Sequence, residues 1–380
     1  MSLGPTSLQW PDGLTTQDFL DQYWQKKPLL IRGAIPNFDT PVSPDELAGM
    51  SLEEGTAPRI ITLDAGGQYQ LEHGPFAADR YDSIGNKDWS LMITDCEKHW
   101  PELLEWIEPF RFLPRWRMDD LMISFAPDQA SVGAHIDEYD VFLLQASGTR
   151  RWHIDSSENP DTQLVEDSTL RILKNFTPTN TWDLQAGDVL YLPPGVPHHG
   201  IAVGDNCTTW SIGFRAPSNL DVLDVFSEVL LDNLPLIRLQ DPTLSATNGA
   251  EIKPEALAKL REFWESATTL TDEELVRLSG FLLTRGGVTL DEDTAAVPDW
   301  HGKSWQWHSF TEVAYVLRDD NAELFVNGEA YVCSKLFAKA LGDSVQNVSV
   351  PDELTESDKE ILTKLIQTNV LHLTHDREST

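Results

Sequence analysis

Cysteine is scarce in this chain of 380 residues: Cys96, Cys207 and Cys333 lie far apart and are odd in number. That excludes a disulfide framework, offers no zinc knuckle, and suits a reducing cytoplasm. No apolar run approaches the ~20 residues that a membrane-crossing helix needs. Met1–Asp12 is polar, carries two prolines and lacks the basic-then-apolar layout of a secretion signal. Repeats and low-complexity tracts are missing as well. Bases are the other shortage, with 28 Lys and Arg against 61 Asp and Glu, for a net charge of −33. Such a field repels nucleic-acid backbones and favours encounter with a cationic partner.

What is present fits an ordinary globular protein, with 41% hydrophobic and 23% charged residues over a length that suits two or three domains. Residues 1–90 read as a mixed entry region. A short helix is expected from Thr16 to Trp24, stopped by Lys26-Lys27-Pro28, with a strand at Leu29–Ile31 and two more around the Gly66-Gly67 turn. From 91 to 217 the signals are mostly β. Leu121–Phe125, Asp188–Leu192 and Thr208–Phe214 read as strands, and Asp140–Gln145 with Thr149–Ile154 reads as a hairpin turning at Ser147-Gly148. Many short strands with Gly/Pro turns argue for a barrel or sandwich. After Pro217 the period becomes helical, through residues 218–295. Residues 296–380 mix helices with a hairpin turning at Asn327-Gly328, a helix-plus-wing pattern. Residues 251–380 hold 24 acids and 12 bases, which argues against DNA reading.

The chemistry concentrates in His135-Ile136-Asp137, answered by His198 in Pro193-Pro194-Gly195-Val196-Pro197-His198. Two imidazoles and one carboxylate suit ferrous iron and leave coordination positions open. On a strand, residues i and i+2 share a face, so His135 and Asp137 would converge on one atom. His199 competes with His198, but neighbours in extended chain point apart, and the spacing from Gly195 favours His198. Arg150, in an otherwise apolar segment, is a candidate fork for the distal carboxylate of 2-oxoglutarate, and Ser124 a candidate hydroxyl for the same group.

The runs His135–Gln145, Gly148–Trp152, Tyr191–His198 and Gly213–Pro217, with Phe19, Tyr23-Trp24-Gln25-Lys26-Lys27-Pro28-Leu29 near the start, resemble the Jumonji-type ribosomal oxygenases of bacteria. The resemblance covers essentially the whole chain. It implies a mainly β fold with α: a double-stranded β-helix (jelly-roll, cupin) core at 91–217 with the 1–90 region packed on it. It also implies a helical dimerisation segment at 218–295, a winged-helix-like domain at 296–380, and a homodimer. By the same resemblance His135, Asp137 and His198 are iron ligands, Arg150 anchors 2-oxoglutarate and Ser124 contacts it. Dioxygen is the other cosubstrate. The implied reaction is β-hydroxylation of an arginine side chain in a basic large-subunit ribosomal protein. Tyr139, Trp210 and Ser211 are candidate walls of the peptide cleft, and Asp128, Asp119 and Asp120 candidate partners of its guanidinium. The competing readings are a related oxygenase acting on histidine or methyl-lysine, and a non-oxidative metal-binding cupin.

Overall fold

A computed structural model describes residues 7–166, 168–230, 237–240, 253–287, 299–344 and 347–374. It forms two compact units, residues 1–216 and 217–380.

The first unit is built on nine strands: β1 (Leu29–Ile31), β2 (Ala57–Leu63), β3 (Tyr69–His73), β4 (Trp89–Thr94), β5 (Met118–Ala126), β6 (Asp140–Ile154), β7 (Asn180–Gln185), β8 (Val189–Leu192) and β9 (His198–Phe214). All belong to one antiparallel sheet, in the order β1-β8-β6-β9-β5-β4-β2-β3, with β7 also on β6. The two long strands make the architecture. β6 runs 15 residues and β9 17, paired with each other from Asp140↔Phe214 to Ile154↔His198. The first half of β6 also pairs with β8 and its second half with β7. One strand thus serves both layers of a double-stranded β-helix.

This corrects the expected hairpin at Ser147-Gly148. The chain does not reverse there; the register shifts on either side of Ser147 and the strand bends. Gly148 sits at φ +63, and a Cβ on it would lie 2.6 Å from the Asn206 carbonyl oxygen. That is the chemistry of a bulge, in which an extra residue sharpens the local twist. A Ser-Gly pair between two apolar runs reads the same way in a turn and in a bulge.

The entry region joins this sheet. Its first helix, α1 (Thr16–Gln22), is capped reciprocally by Thr15 and Asp18. It delivers Phe19, fully buried, against Tyr191 (ring centroids 4.9 Å) and Phe142 (5.7 Å). Tyr191 donates to Asp140 (2.6 Å), and Gln25 bonds both of them. Because the aromatic core is shared, the region before residue 90 is continuous with the sheet that carries the candidate site.

Along β6, Phe142, Leu144 and Ala146 face this outer core, while Val141 and Leu143 face the barrel interior with Trp152, Ile154, Leu184, Leu190 and Leu192. Alternation therefore assigns Gln145, Arg150 and Trp152 inward, with Thr209 and Ser211 on β9 and Met122 and Ser124 on β5.

The second unit holds helices α2 (Asn219–Val225), α3 (Pro254–Thr268), α4 (Asp272–Thr284), α5 (Lys335–Gly342) and α6 (Glu356–Gln367). Its two small sheets are Val313–Leu317 with Ala322–Val326 and Glu329–Cys333, and Val348–Ser349 with Ser304–Trp307 and Leu371–Leu373. The hairpin turns at Asn327-Gly328, both at positive φ, as its type demands. α4 packs on the first of these sheets, and a Cβ on Gly280 would meet the Phe325 ring at 2.2 Å. The expected division between 218–295 and 296–380 runs between two packed elements; part of that expectation, residues 231–236, 241–252 and 288–298, lies outside the described residues. Among the described residues no helix is long and apolar enough to cross a membrane.

Candidate metal and cosubstrate site

His135, Asp137 and His198 each offer a donor atom, and the three atoms lie within 4.8 Å of one another. Asp137 Oδ1 is 4.0 Å from His135 Nε2, and Oδ2 is 3.5 Å from His198 Nε2. They converge by a different route from the one expected. His135–Asp137 lies outside the named strands; it is an irregular segment tied by an isolated antiparallel bridge between His135 and His198. His135 and His198 exchange backbone hydrogen bonds (3.0 and 2.9 Å), and Gly195 N–H donates to the Asp137 carbonyl at 2.8 Å. Gly195 adopts φ +81, which glycine reaches without strain. The Pro-Pro-Gly turn is thus fastened directly to the His-x-Asp segment.

Each imidazole is oriented by its other nitrogen. His135 Nδ1 lies 3.0 Å from the Gly133 carbonyl, and His198 Nδ1 lies 2.9 Å from that of Val196. A carbonyl only accepts, so each Nδ1 carries the proton and each Nε2 presents a lone pair to the shared centre. Desolvation, then the neighbouring His198, holds the His135 pKa down to about 4. Burial opposes ionisation of Asp137, but the hydrogen bond and charge of His198, with His135 and Tyr139, bring its pKa down to about 2. Neutral imidazoles and an ionised carboxylate are the states that bind a metal ion, so the donor set fits a divalent transition ion.

His199 points away from this centre. Its Nε2 lies 2.8 Å from Ser131 Oγ, and its ring faces His153, its partner across the strands. His199→Ala is expected to retain metal, checked by metal analysis of the purified variant; loss of metal would reverse the choice of His198.

Arg150 is buried at 4% exposure. It lies four residues along the β6·β9 ladder from the Ile154↔His198 pair. Its Nε reaches Cys207 Sγ at 3.4 Å, but Nη2 has no hydrogen-bond partner, and no carboxylate pairs with the guanidinium among the described residues. A buried cation left so is costly unless something anionic completes it. A bidentate carboxylate is the chemical complement of that fork. Ser124 is buried on β5, across β9 from β6, its hydroxyl donating to the Thr209 carbonyl at 3.2 Å. Thr209 in turn bonds Gln145, whose amide reaches Cys207. Gln145, Thr209 and Cys207 carry no feature in the sequence that separates them from ordinary strand residues; only the fold gathers them beside Arg150.

Trp210 is not a cleft wall. It is fully buried in the outer core against Phe38. Tyr139 does lie beside the donor triad through Asp137, and Ser211 pairs with Met122 on the interior face.

A double-stranded β-helix with a convergent His/Asp/His donor set and a buried arginine that no carboxylate pairs among the described residues defines a metal centre of the cupin type. Comparisons with known proteins agree. Residues 105–222 match the JmjC domain family. The ribosomal protein uL16 3-hydroxylase of Escherichia coli (strain K12) is 37% identical over 259 residues, 67% of this chain and 66% of that protein, so the aligned stretch falls just short of two thirds of its length. The X-ray structure of E. coli ycfD superposes with a TM-score of 0.84 at 29% identity, covering 97% of this chain and 100% of that one. The structure of E. coli YcfD with cobalt and 2-oxoglutarate matches at 0.78, with 29% identity and coverage of 97% and 99%. The chain is thus similar to the JmjC-domain ribosomal oxygenases, in sequence over 67% of its length and in fold over 97% of it.

Proposed function

We propose that this protein is an Fe(II)- and 2-oxoglutarate-dependent hydroxylase that β-hydroxylates an arginine side chain of a basic large-subunit ribosomal protein in the cytoplasm. The observation that carries the reading is the convergent His135/Asp137/His198 donor set in one barrel with a buried Arg150 guanidinium whose Nη2 has no partner among the described residues. Ferrous iron held by the triad supplies the redox chemistry that divides dioxygen between 2-oxoglutarate, released as succinate and carbon dioxide, and a substrate carbon, which gains a hydroxyl. The rest is positioning. Arg150 takes the far carboxylate of 2-oxoglutarate, with the Ser124 hydroxyl close by on β5, and the barrel wall excludes water from the space between.

An arginine substrate also needs a carboxylate at the site, and the contacts of the three candidates favour Asp120. Asp128 is spent on the Gly204 N–H (2.6 Å) and Gln129, and Asp119 on Arg215 (2.7 Å). Asp120 has no ion pair among the described residues, and burial with the nearby Asp119 charge raises its pKa to about 6. A Cβ on Gly213 would lie 3.0 Å from Asp120 Oδ1 and 3.6 Å from the Tyr139 ring, so Asp120 is beside the tyrosine that bonds Asp137. A substrate guanidinium there restores the charged state that burial disfavours. The −33 net charge favours the encounter with a basic partner. The homodimer would form through the exposed apolar side chains Leu220, Val222 and Leu223 of α2 and Leu257, Leu260 and Trp264 of α3.

Fragments of ribosomal proteins incubated with enzyme, ferrous iron and 2-oxoglutarate, read by fragmentation mass spectrometry, test the reading. One added oxygen on an arginine is expected, with succinate release that depends on peptide. Loss of carbon from a methylated lysine, or an oxygen on histidine, would redirect the substrate assignment; no iron-dependent succinate would defeat the oxygenase itself.

A further inference from the structure

Trp152 is in contact with both the metal-ligand end of the barrel and Arg150, and the fold makes room for its ring. Trp152 is 4% exposed and lies two residues along β6 from Arg150, on the same inward face. Its ring centroid is 5.7 Å from that of His198, and Arg150 Cζ lies over the ring at 5.6 Å. Opposite it across the ladder is Gly200. A Cβ at Gly200 would fall 2.7 Å from Trp152 Cζ3 and 2.8 Å from Cη2, inside any real contact distance. Gly200 needs no unusual φ, so the requirement for glycine here is for space: the six-membered ring rests on the bare backbone of β9.

We infer that Trp152, bedded on Gly200, is the gauge that selects the length of the 2-oxoacid cosubstrate. This rests on the proposed roles of the triad and Arg150, and adds what measures the distance between them. The keto-acid end of the cosubstrate belongs at the triad and its far carboxylate at Arg150, four strand residues apart, roughly 13 Å of ladder. The methylenes between must pass the indole. A flat indole leaves height for two methylenes. A lower wall admits a longer chain, and an indole lifted by a side chain at position 200 shortens the space. Trp152 also touches both ends of the path, so a displaced indole alters the separation of His198 and Arg150 as well as the width between them. The outward neighbours Arg151 and His153 bond Asp183 and Thr181 on the far face, so they hold the strand without entering the barrel.

The test is calorimetric binding to the full-length protein loaded with manganese(II), in the absence of oxygen, of three acids that differ by one methylene: oxaloacetate, 2-oxoglutarate and 2-oxoadipate. Wild type is expected to prefer 2-oxoglutarate over both. Trp152→Leu, and more mildly Trp152→Phe, shift the ratio of dissociation constants toward 2-oxoadipate by about ten-fold, the low end of what one methylene decides in an enclosed pocket. Gly200→Ala shifts the ratio the opposite way, toward oxaloacetate. Opposed shifts do not arise from general loosening, and thermal melting of each variant separates misfolding from selectivity. The Trp152→Phe variant retains an aromatic ring, so it keeps the test decisive if the leucine variant unfolds. Unchanged ratios in folded variants, or shifts of the same sign from both positions, overturn the gauge while leaving the cosubstrate site intact. Failure of wild type to bind any of the three overturns the cosubstrate reading and the gauge with it.

Discussion

Asp137→Ala is expected to abolish hydroxylation and to lower metal affinity at least about 100-fold, above the usual cost of losing a merely supporting partner. The loss is electrostatic before it is geometric. Asp137 is the only anion of the triad, and its two oxygens already face His135 Nε2 and His198 Nε2 at 4.0 and 3.5 Å. Without it two neutral imidazoles remain, with no charge to offset that of a divalent ion and a vacancy where the third donor was. The backbone scaffold does not depend on the carboxylate: the His135–His198 exchange and the Gly195-to-Asp137 hydrogen bond are all main chain. The variant should therefore fold, with a melting temperature near that of wild type without metal. Metal content by mass spectrometry and peptide-dependent succinate release are the measurements. Iron-dependent turnover at wild-type rate in the folded variant would end the assignment of the metal centre. Asp137→Asn keeps an oxygen donor but not the charge, and is expected to recover little.

The donor residues were legible in the sequence because metal chemistry demands particular side chains, and a Pro-Pro-Gly turn is a strong local signal. Legible, too, were most strand positions and the Asn327-Gly328 hairpin, since alternation and turn chemistry are local. How the donors meet was not. Alternation along a strand suggests that His135 and Asp137 converge on a ladder, whereas main-chain hydrogen bonds from an irregular segment to His198 and to the Pro-Pro-Gly turn do that work. The continuity of β6 through Ser147-Gly148 was hidden for a similar reason, because what separates bulge from turn is the pairing of both halves with β9, a contact between residues some 60 positions apart. Trp210 misled in the other direction. It sits one residue from Ser211, and only the phase of β9 places one in the outer core and the other inside the barrel. Gln145, Thr209 and Cys207 give no local signal at all; their meaning comes from what they surround.

Arg150→Ala carries the second large effect, and it has an unusual sign on stability. The concentration of 2-oxoglutarate for half-maximal turnover is expected to rise on the order of 100-fold, since a carboxylate left unpaired in a buried site costs about 3 kcal/mol. The maximal rate at saturating cosubstrate should fall much less, because the triad is untouched. Arg150→Lys retains charge without the fork and should lie between. In the protein without cosubstrate the guanidinium is buried with Nη2 unpartnered among the described residues, held by Cys207 Sγ and the Trp152 face. Removing it relieves a desolvated cation, so the unliganded variant should melt no lower than wild type, and higher if the cavity left behind admits water. The stabilisation that 2-oxoglutarate gives wild type, which follows from mass action, should be largely lost in the variant. Melting curves with and without the acid, beside a kinetic titration, check both halves. A variant strongly destabilised on its own, with its 2-oxoglutarate requirement unchanged, would make Arg150 a structural residue and move the carboxylate anchor elsewhere in the barrel.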